Sequence, residues 1–161
     1  SAFINCIRFA DGVVCRNMSK IKIVQLKKAD VLTAVEVNAL RKQLSPNAKR
    51  VALPVLKKVL ANKDAEFWVV KDGMHIVGMG ALYLIQKLSG LAGRIEYIVV
   101  DEKYRGQGLG KIIMNKLKDR ARARRASIVE LTSNPSRTSA NAMYQKLGFK
   151  KRDTNVYRLE F

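Results

Sequence analysis

The chain has 161 residues, 48% of them hydrophobic, which suits one domain with a buried core. Its 31 Lys and Arg against 13 Asp and Glu give a formal net charge of +18, so anionic partners or a heavily solvated basic surface are expected. No apolar run approaches the roughly 20 residues of a membrane span, so no membrane partner is expected, and a lone histidine, His75, speaks against a metal site.

In chain order, residues 1–17 read as an extension ahead of a domain spanning 18–161. They lack the charged leader and unbroken apolar core of a signal peptide, since Asp11 interrupts them. Cys6 and Cys15 both fall in this stretch, fit no metal spacing and read as ordinary thiols, so a reducing, cytoplasmic setting is expected.

"IKIVQLK" at 21–27 alternates as a strand does. Asp30 is placed to cap a helix carrying Val31, Ala34, Val35, Val37 and Leu40, broken at Ser45-Pro46. "VALPVLKKVLAN" predicts a second helix with Pro54 in its first turn. "EFWVV", the turn "KDG" and "MHIVGMGALYLI" predict an antiparallel hairpin. "LSGLAG" at 88–93 reads as a loop and "RIEYIVVD" as the next strand. Leu109, Ile112, Ile113, Leu117 and Ala121 keep helical spacing up to about Arg125. "SIVELTS" reads as a strand, "SRTSANAMYQKL" as a helix stopped by Gly148, and "FKKRD" with "VYRLEF" as a closing strand pair. The predicted order βααβββαβαββ implies a mixed α/β domain around one sheet.

"YRGQGLGKIIM" sets three glycines where a strand ends and a helix begins. The first amides of a helix lack intrahelical acceptors, and the helix dipole is positive there, so such a turn suits a phosphate-type anion. Glycine lets anion oxygens approach the main chain where a Cβ would intrude. A tight turn with no ligand explains the same glycines equally well. The spacing Gly106, Gly108, Gly110 is not a dinucleotide fingerprint, and Gly110-Lys111-Ile112 lacks the hydroxyl of a P-loop.

Arg105-x-x-Gly108-x-Gly110 after "IEYIVVDEKY", followed by "NAMYQKLGF", resembles the GNAT superfamily of N-acetyltransferases, whose central motif is (Gln/Arg)-x-x-Gly-x-(Gly/Ala). The later family helix carries a tyrosine shortly before Leu-Gly-Phe. The resemblance implies a single α/β domain: a mixed, mostly antiparallel sheet of six to seven strands, about four flanking helices and a splayed central strand pair. It implies acetyl-CoA as cosubstrate and no metal. The diphosphate is expected on the amides of Arg105, Gly106, Gln107, Gly108, Leu109, Gly110 and Lys111, and the pantetheine arm along Ile98, Val99 and Val100. An N–H near Ile98 is expected to polarise the thioester carbonyl.

An uncharged amine must attack the thioester, so a base or a water chain leading to one is useful. Strand alternation is expected to set Glu96 on the face of Ile98 and Val100, and burial raises a carboxyl's pKa towards the working range. The other reading of Glu96 is a strand-end partner of Arg94. The resemblance makes Tyr144 the general acid for the departing thiolate and Asn141 a partner of the pantetheine or nearby backbone; both also read as structural residues. Asn134 either contacts the cofactor or caps the helix, and Arg137 either reaches a phosphate or is solvated. A small-molecule amine is the favoured acceptor. Alternatives are a protein N-terminal or lysine acetyltransferase, a non-catalytic CoA-binding module, and a basic nucleic-acid-binding module, which no RNA- or DNA-binding signature supports. A homodimer is compatible with the family.

Overall fold

A computed structural model of the chain describes residues 4–9, 12–17 and 21–161, with side chains from 21 onward. It divides into two compact units, Ser1–Leu131 and Thr132–Phe161. In the first unit, β1 (Ile4–Phe9) and β2 (Gly12–Asn17) form an antiparallel two-stranded sheet with Cys6 opposite Cys15. The cysteine side chains, and the thiol reading with them, lie outside the described residues.

The main sheet has five strands in the order β3 (Ile21–Gln25), β4 (Ala65–Asp72), β5 (His75–Lys87), β6 (Gly90–Val100) and β7 (Ile128–Glu130). Neighbours are antiparallel except β6 and β7, whose parallel pairing needs the crossover that α3 (Leu109–Ala123) supplies. One face is covered by α1 (Val31–Leu44) and α2 (Leu53–Leu60). The Asp30 carboxylate accepts the Thr33 N–H at 2.8 Å and so starts α1, while a proline in the first turn of α2 gives up only an amide that has no helical acceptor. Ala34, Val37, Leu40 and Leu56 from these helices share a core with Leu26, Phe67, Val69, Met79, Ala81 and Val99.

On the opposite face α3 buries Ile113, Met114, Leu117 and Ala121. Its close approach depends on a missing side chain. A Cβ on Gly80 would lie 2.6 Å from Ile98 Cδ1, 2.7 Å from Ile113 Cγ2 and 3.0 Å from Leu117 Cδ1. The far end of α3 is tied to the sheet through Glu66, only 4% exposed. Arg120 grips both its oxygens, at 2.8 and 2.9 Å, while Arg124 and Trp68 Nε1 donate at 3.3 and 3.2 Å. The Arg120 hydrogen bonds hold the Glu66 carboxyl below its ordinary value despite its burial.

Several expectations change. The loop expected at 88–93 is a two-residue turn, Leu88-Ser89, closed by Lys87 opposite Gly90, whose φ of +116° a glycine accepts without strain. "SIVELTS" shrinks to the three residues of β7, because β6 pairs with it only at Ala92, Gly93 and Arg94. The sheet has five strands rather than six to seven, and no strand forms from "FKKRD" or "VYRLEF". Residues 150–161 are all exposed, and an alternating pattern becomes a strand only where it finds a ladder and an apolar face.

The second unit contains α4 (Thr138–Lys146). Its end is built by the Leu147-Gly148-Phe149 triplet. Gly148 takes φ +89°, its N–H donates to Gln145 O at 3.0 Å, and the Phe149 N–H reaches back to Tyr144 O at 3.0 Å. Phe149 also meets the Tyr144 ring edge-on at 6.2 Å. This paired cap with its apolar contact is a Schellman ending.

Candidate functional site

The turn ahead of α3 is fixed from three sides. Asp101 accepts the Lys103 N–H at 2.9 Å and the Gln43 side-chain amide at 3.0 Å, while Gln43 Oε1 takes the Glu102 N–H at 2.9 Å. The Tyr104 hydroxyl donates to Asp72 at 2.9 Å, and Arg105 Nε donates to Val100 O at 3.2 Å. Arg105 therefore braces the turn, and its own N–H closes it on Glu102 O at 3.3 Å. From there the chain changes character. Gly106 and Gly108 both take φ +77°, a left-handed conformation that favours glycine, and a Cβ on either would meet nothing within 4 Å.

Gly108 is the N-cap of α3 and offers no side-chain acceptor. Along residues 106–111, no main-chain N–H meets an acceptor among the described residues. The space beside Gly106 and Gly108 is open, and acceptor-free donors at a positive helix end suit a diphosphate. The Arg105 N–H, already bonded to Glu102 O, stands apart from this run.

β6 carries an irregularity beside this turn. Met79 pairs with Val99 and Ala81 with Glu96, so Tyr97 and Ile98 together stand opposite Gly80. Tyr97 takes φ +58°, an uncommon conformation for a tyrosine, and the extra residue reverses the alternation beyond it. Glu96 therefore does not share a face with Ile98 and Val100. It lies opposite Ala81 on the face of α1 and α2, whereas Ile98 packs by Ile113 and Leu117 and Val100 borders Gly78 near Ile113, both on the α3 face. Val99 joins the α1 and α2 core. Beyond Arg94 the β7 ladder stops while β6 runs on to Val100.

Nor does Glu96 have the expected apolar burial. Its side chain is 36% exposed and accepts from Arg94 Nε at 2.7 Å. An aromatic group that sequence reasoning missed lies on the same face of the sheet. Phe67 meets Tyr83 edge-on at 5.9 Å and stacks with Tyr97 at 6.2 Å. Tyr83 stands directly opposite Arg94. Burial first, then Tyr97 and Glu96, pushes the Tyr83 hydroxyl up to about 12. The signal was present: counting outward from a two-residue turn at Leu88-Ser89 gives the Tyr83–Arg94 register.

In the second unit, Asn134 Oδ1 accepts from the Ser136 N–H at 2.9 Å and the Ser136 hydroxyl at 2.8 Å. Asn141 Nδ2 donates to Asn134 O at 3.0 Å, so the asparagines brace their own loop. The Arg137 N–H donates to the same carbonyl at 3.0 Å. Tyr144 is buried, which raises its hydroxyl pKa, while the Arg137 charge opposes the shift. That phenol therefore keeps its proton through the neutral range. Among the described residues no group of acidic, histidine or cysteine side chains is arranged to hold a metal.

The sequence pattern of the family described as "Acetyltransferase (GNAT) family" matches residues 37–149. Human N-acetyltransferase 8 is 29% identical over 99 residues, covering 60% of this chain and 44% of that protein. The IAA acetyltransferase of Azospirillum brasilense is 28% identical over 95 residues, 59% of this chain and 61% of that one. The chain thus spans about half the length of several such relatives. In fold, it superposes on a Trypanosoma brucei acetyltransferase with a TM-score of 0.72 at 26% identity, covering 88% of this chain and 99% of that one. The glucosamine-6-phosphate N-acetyltransferase of Arabidopsis thaliana gives 0.72 at 21% identity, covering 86% and 97%.

Proposed function

Because the chain belongs to the GNAT acetyltransferase family, we propose that it moves the acetyl group of acetyl-CoA to a primary amine by direct attack, with a small-molecule amine as acceptor. The observation that carries this reading is the run of acceptor-free N–H groups over residues 106–111 at the glycine-lined start of α3. Bound there, the donor supplies an acetyl thioester, whose C–S bond breaks as the C–N bond forms.

The chain's residues hold charge and move protons. Gly106, Gln107, Gly108, Leu109, Gly110 and Lys111 hold the diphosphate through main-chain donors. Glu96 takes the proton that the amine loses, directly or through a water, and the Arg94 guanidinium keeps its carboxylate oriented. Tyr144 gives its hydroxyl proton to the departing thiolate. Ile98, Val99 and Val100 present the strand against which the pantetheine arm lies. Arg105, Asn134 and Asn141 shape the loops, a role their hydrogen bonds support.

The preference for a small acceptor draws on a structural relative whose name specifies a phosphorylated amino sugar, glucosamine-6-phosphate. The basic surface disfavours free polyamines and favours an amine on an acidic or phosphorylated body. The test is calorimetric binding of acetyl-CoA and CoA, then thiol release over a panel of amines. Binding of both with turnover on a small amine is expected. Failure to bind either sinks the reading, while binding without turnover on any amine makes the chain a CoA sensor.

A further inference from the structure

α1 is apolar on two sides. Ala34, Val37 and Leu40 face the core, yet on the other side Val31, Leu32 and Val35 are 68%, 54% and 48% exposed, and Ala39 follows them. At 3.6 residues per turn these four outward residues fall within an arc of about 100°. A surface helix ordinarily places polar residues there. Here the polar side chains look elsewhere. Asn38 donates to Ala34 O and Val51 O at 2.8 and 2.9 Å. Glu36 accepts the Ile76 N–H at 3.2 Å and lies 3.0 Å from His75 Nδ1. That contact draws the β4–β5 turn against α1, and with it Met74, 78% exposed.

Lysines collar the stripe. Lys27 and Lys28 are exposed just ahead of α1, and Lys42 continues its outer face. Lys22 and Lys71 are cross-strand neighbours at the adjoining sheet end, where Lys71 acts on the Asp30 carboxylate. The nearby acidic groups are engaged: Asp30 caps α1, Glu36 holds the β5 start and Asp72 holds Tyr104.

We propose that this face of α1, with the Met74 turn, docks on the surface of an anionic lipid bilayer. Val31, Leu32, Val35 and Met74 enter the boundary between headgroups and acyl chains, and the lysines meet the headgroups. A surface contact needs no spanning helix. The composition chooses the occupant. Exposed Val, Leu and Met side chains beside lysines offer apolar area and attraction to anionic headgroups together, whereas protein interfaces are poor in Lys. A second copy would bring another +18 charge. A nucleic-acid backbone offers nothing to an aliphatic stripe.

The experiment is sedimentation of the 161-residue chain with phosphatidylcholine vesicles, with and without about 30% phosphatidylserine, at low and high salt. Binding to the anionic vesicles, weakened by salt, is expected. Leu32→Asn with Val35→Asn, which removes apolar area without changing charge, lowers the partition constant by about tenfold or more, and Lys27→Gln with Lys28→Gln by about tenfold. Both side-chain pairs are exposed, so both variants keep the wild-type melting temperature. Absence of binding to anionic vesicles overturns the proposal. So does undiminished binding of the asparagine variant, which would reduce the contact to charge alone. Self-association lost in that variant, without vesicle binding, would assign the face to a second copy.

Discussion

Tyr144 is held by two kinds of force, and they can be separated by one oxygen atom. Its ring is buried and meets Phe149, so Tyr144→Phe keeps the packing and loses only the proton. General-acid catalysis is worth roughly a hundredfold or more, so turnover should fall by about that factor with acetyl-CoA affinity nearly unchanged. Steady-state rates set beside calorimetric affinity decide it, and an unchanged rate would leave Tyr144 a core residue. Glu66 makes a residue-scale prediction of the opposite kind, since it serves stability. Its folded pKa is depressed from an ordinary 4.5, so its contribution is fully present above that value and is lost as pH falls through the lower folded value. Glu66→Gln should remove this acid-side loss from the melting curve. Glu66→Ala should cost about 3 kcal/mol, the low end for a broken buried pair, because Arg120 and Arg124 remain partly solvated. Equal acid sensitivity in wild type and Glu66→Gln would refute the assignment.

Elements carry the site into place, and at this scale the glycines of β5 matter most. Gly80→Ala would set a methyl against Ile98, Ile113 and Leu117 at distances of 2.6 to 3.0 Å, forcing α3 off the sheet at a cost of about 1–3 kcal/mol. If the amides at the start of α3 hold CoA as proposed, its affinity should fall along with the melting temperature; a stable variant with intact affinity would argue that the helix is held elsewhere. The helices were legible because their signals are local: Asp30 before an apolar period, Pro54 in a first turn, Gly148 after Leu147. So was the glycine turn, since its demand for left-handed backbone is written in residue type. What was not legible depended on partners distant in sequence. Alternation alone set Glu96 beside Ile98, and only the pairing with β5 reveals the extra residue at Tyr97 that parts them. Likewise "VYRLEF" has the rhythm of a strand, but a strand also needs a neighbour, and a single sequence does not show whether one is in reach.

At the scale of the whole molecule, a net charge of +18 and a short amide cradle should act on different parts of the binding event. If CoA binds as proposed, the cradle works at hydrogen-bond range, where salt screens little, and sets how long CoA stays. The summed charge reaches further, across a screening length of about 10 Å at 0.1 M salt and about 3 Å at 1 M, and on the same reading sets how often the anionic donor arrives. Raising salt should therefore slow CoA association steeply and leave dissociation almost unchanged. Gly108→Ala should do the reverse. A methyl on a φ of +77° has open space around it within the protein, so its damage falls on the backbone conformation and on the room for phosphate oxygens. Association of that variant should keep the wild-type salt slope while dissociation speeds up. Stopped-flow traces for both proteins at two salt concentrations measure all four quantities. A wild-type dissociation rate that rises with salt as steeply as association falls would mean that exposed side-chain charges, rather than the main-chain donors of residues 106–111, hold the ligand.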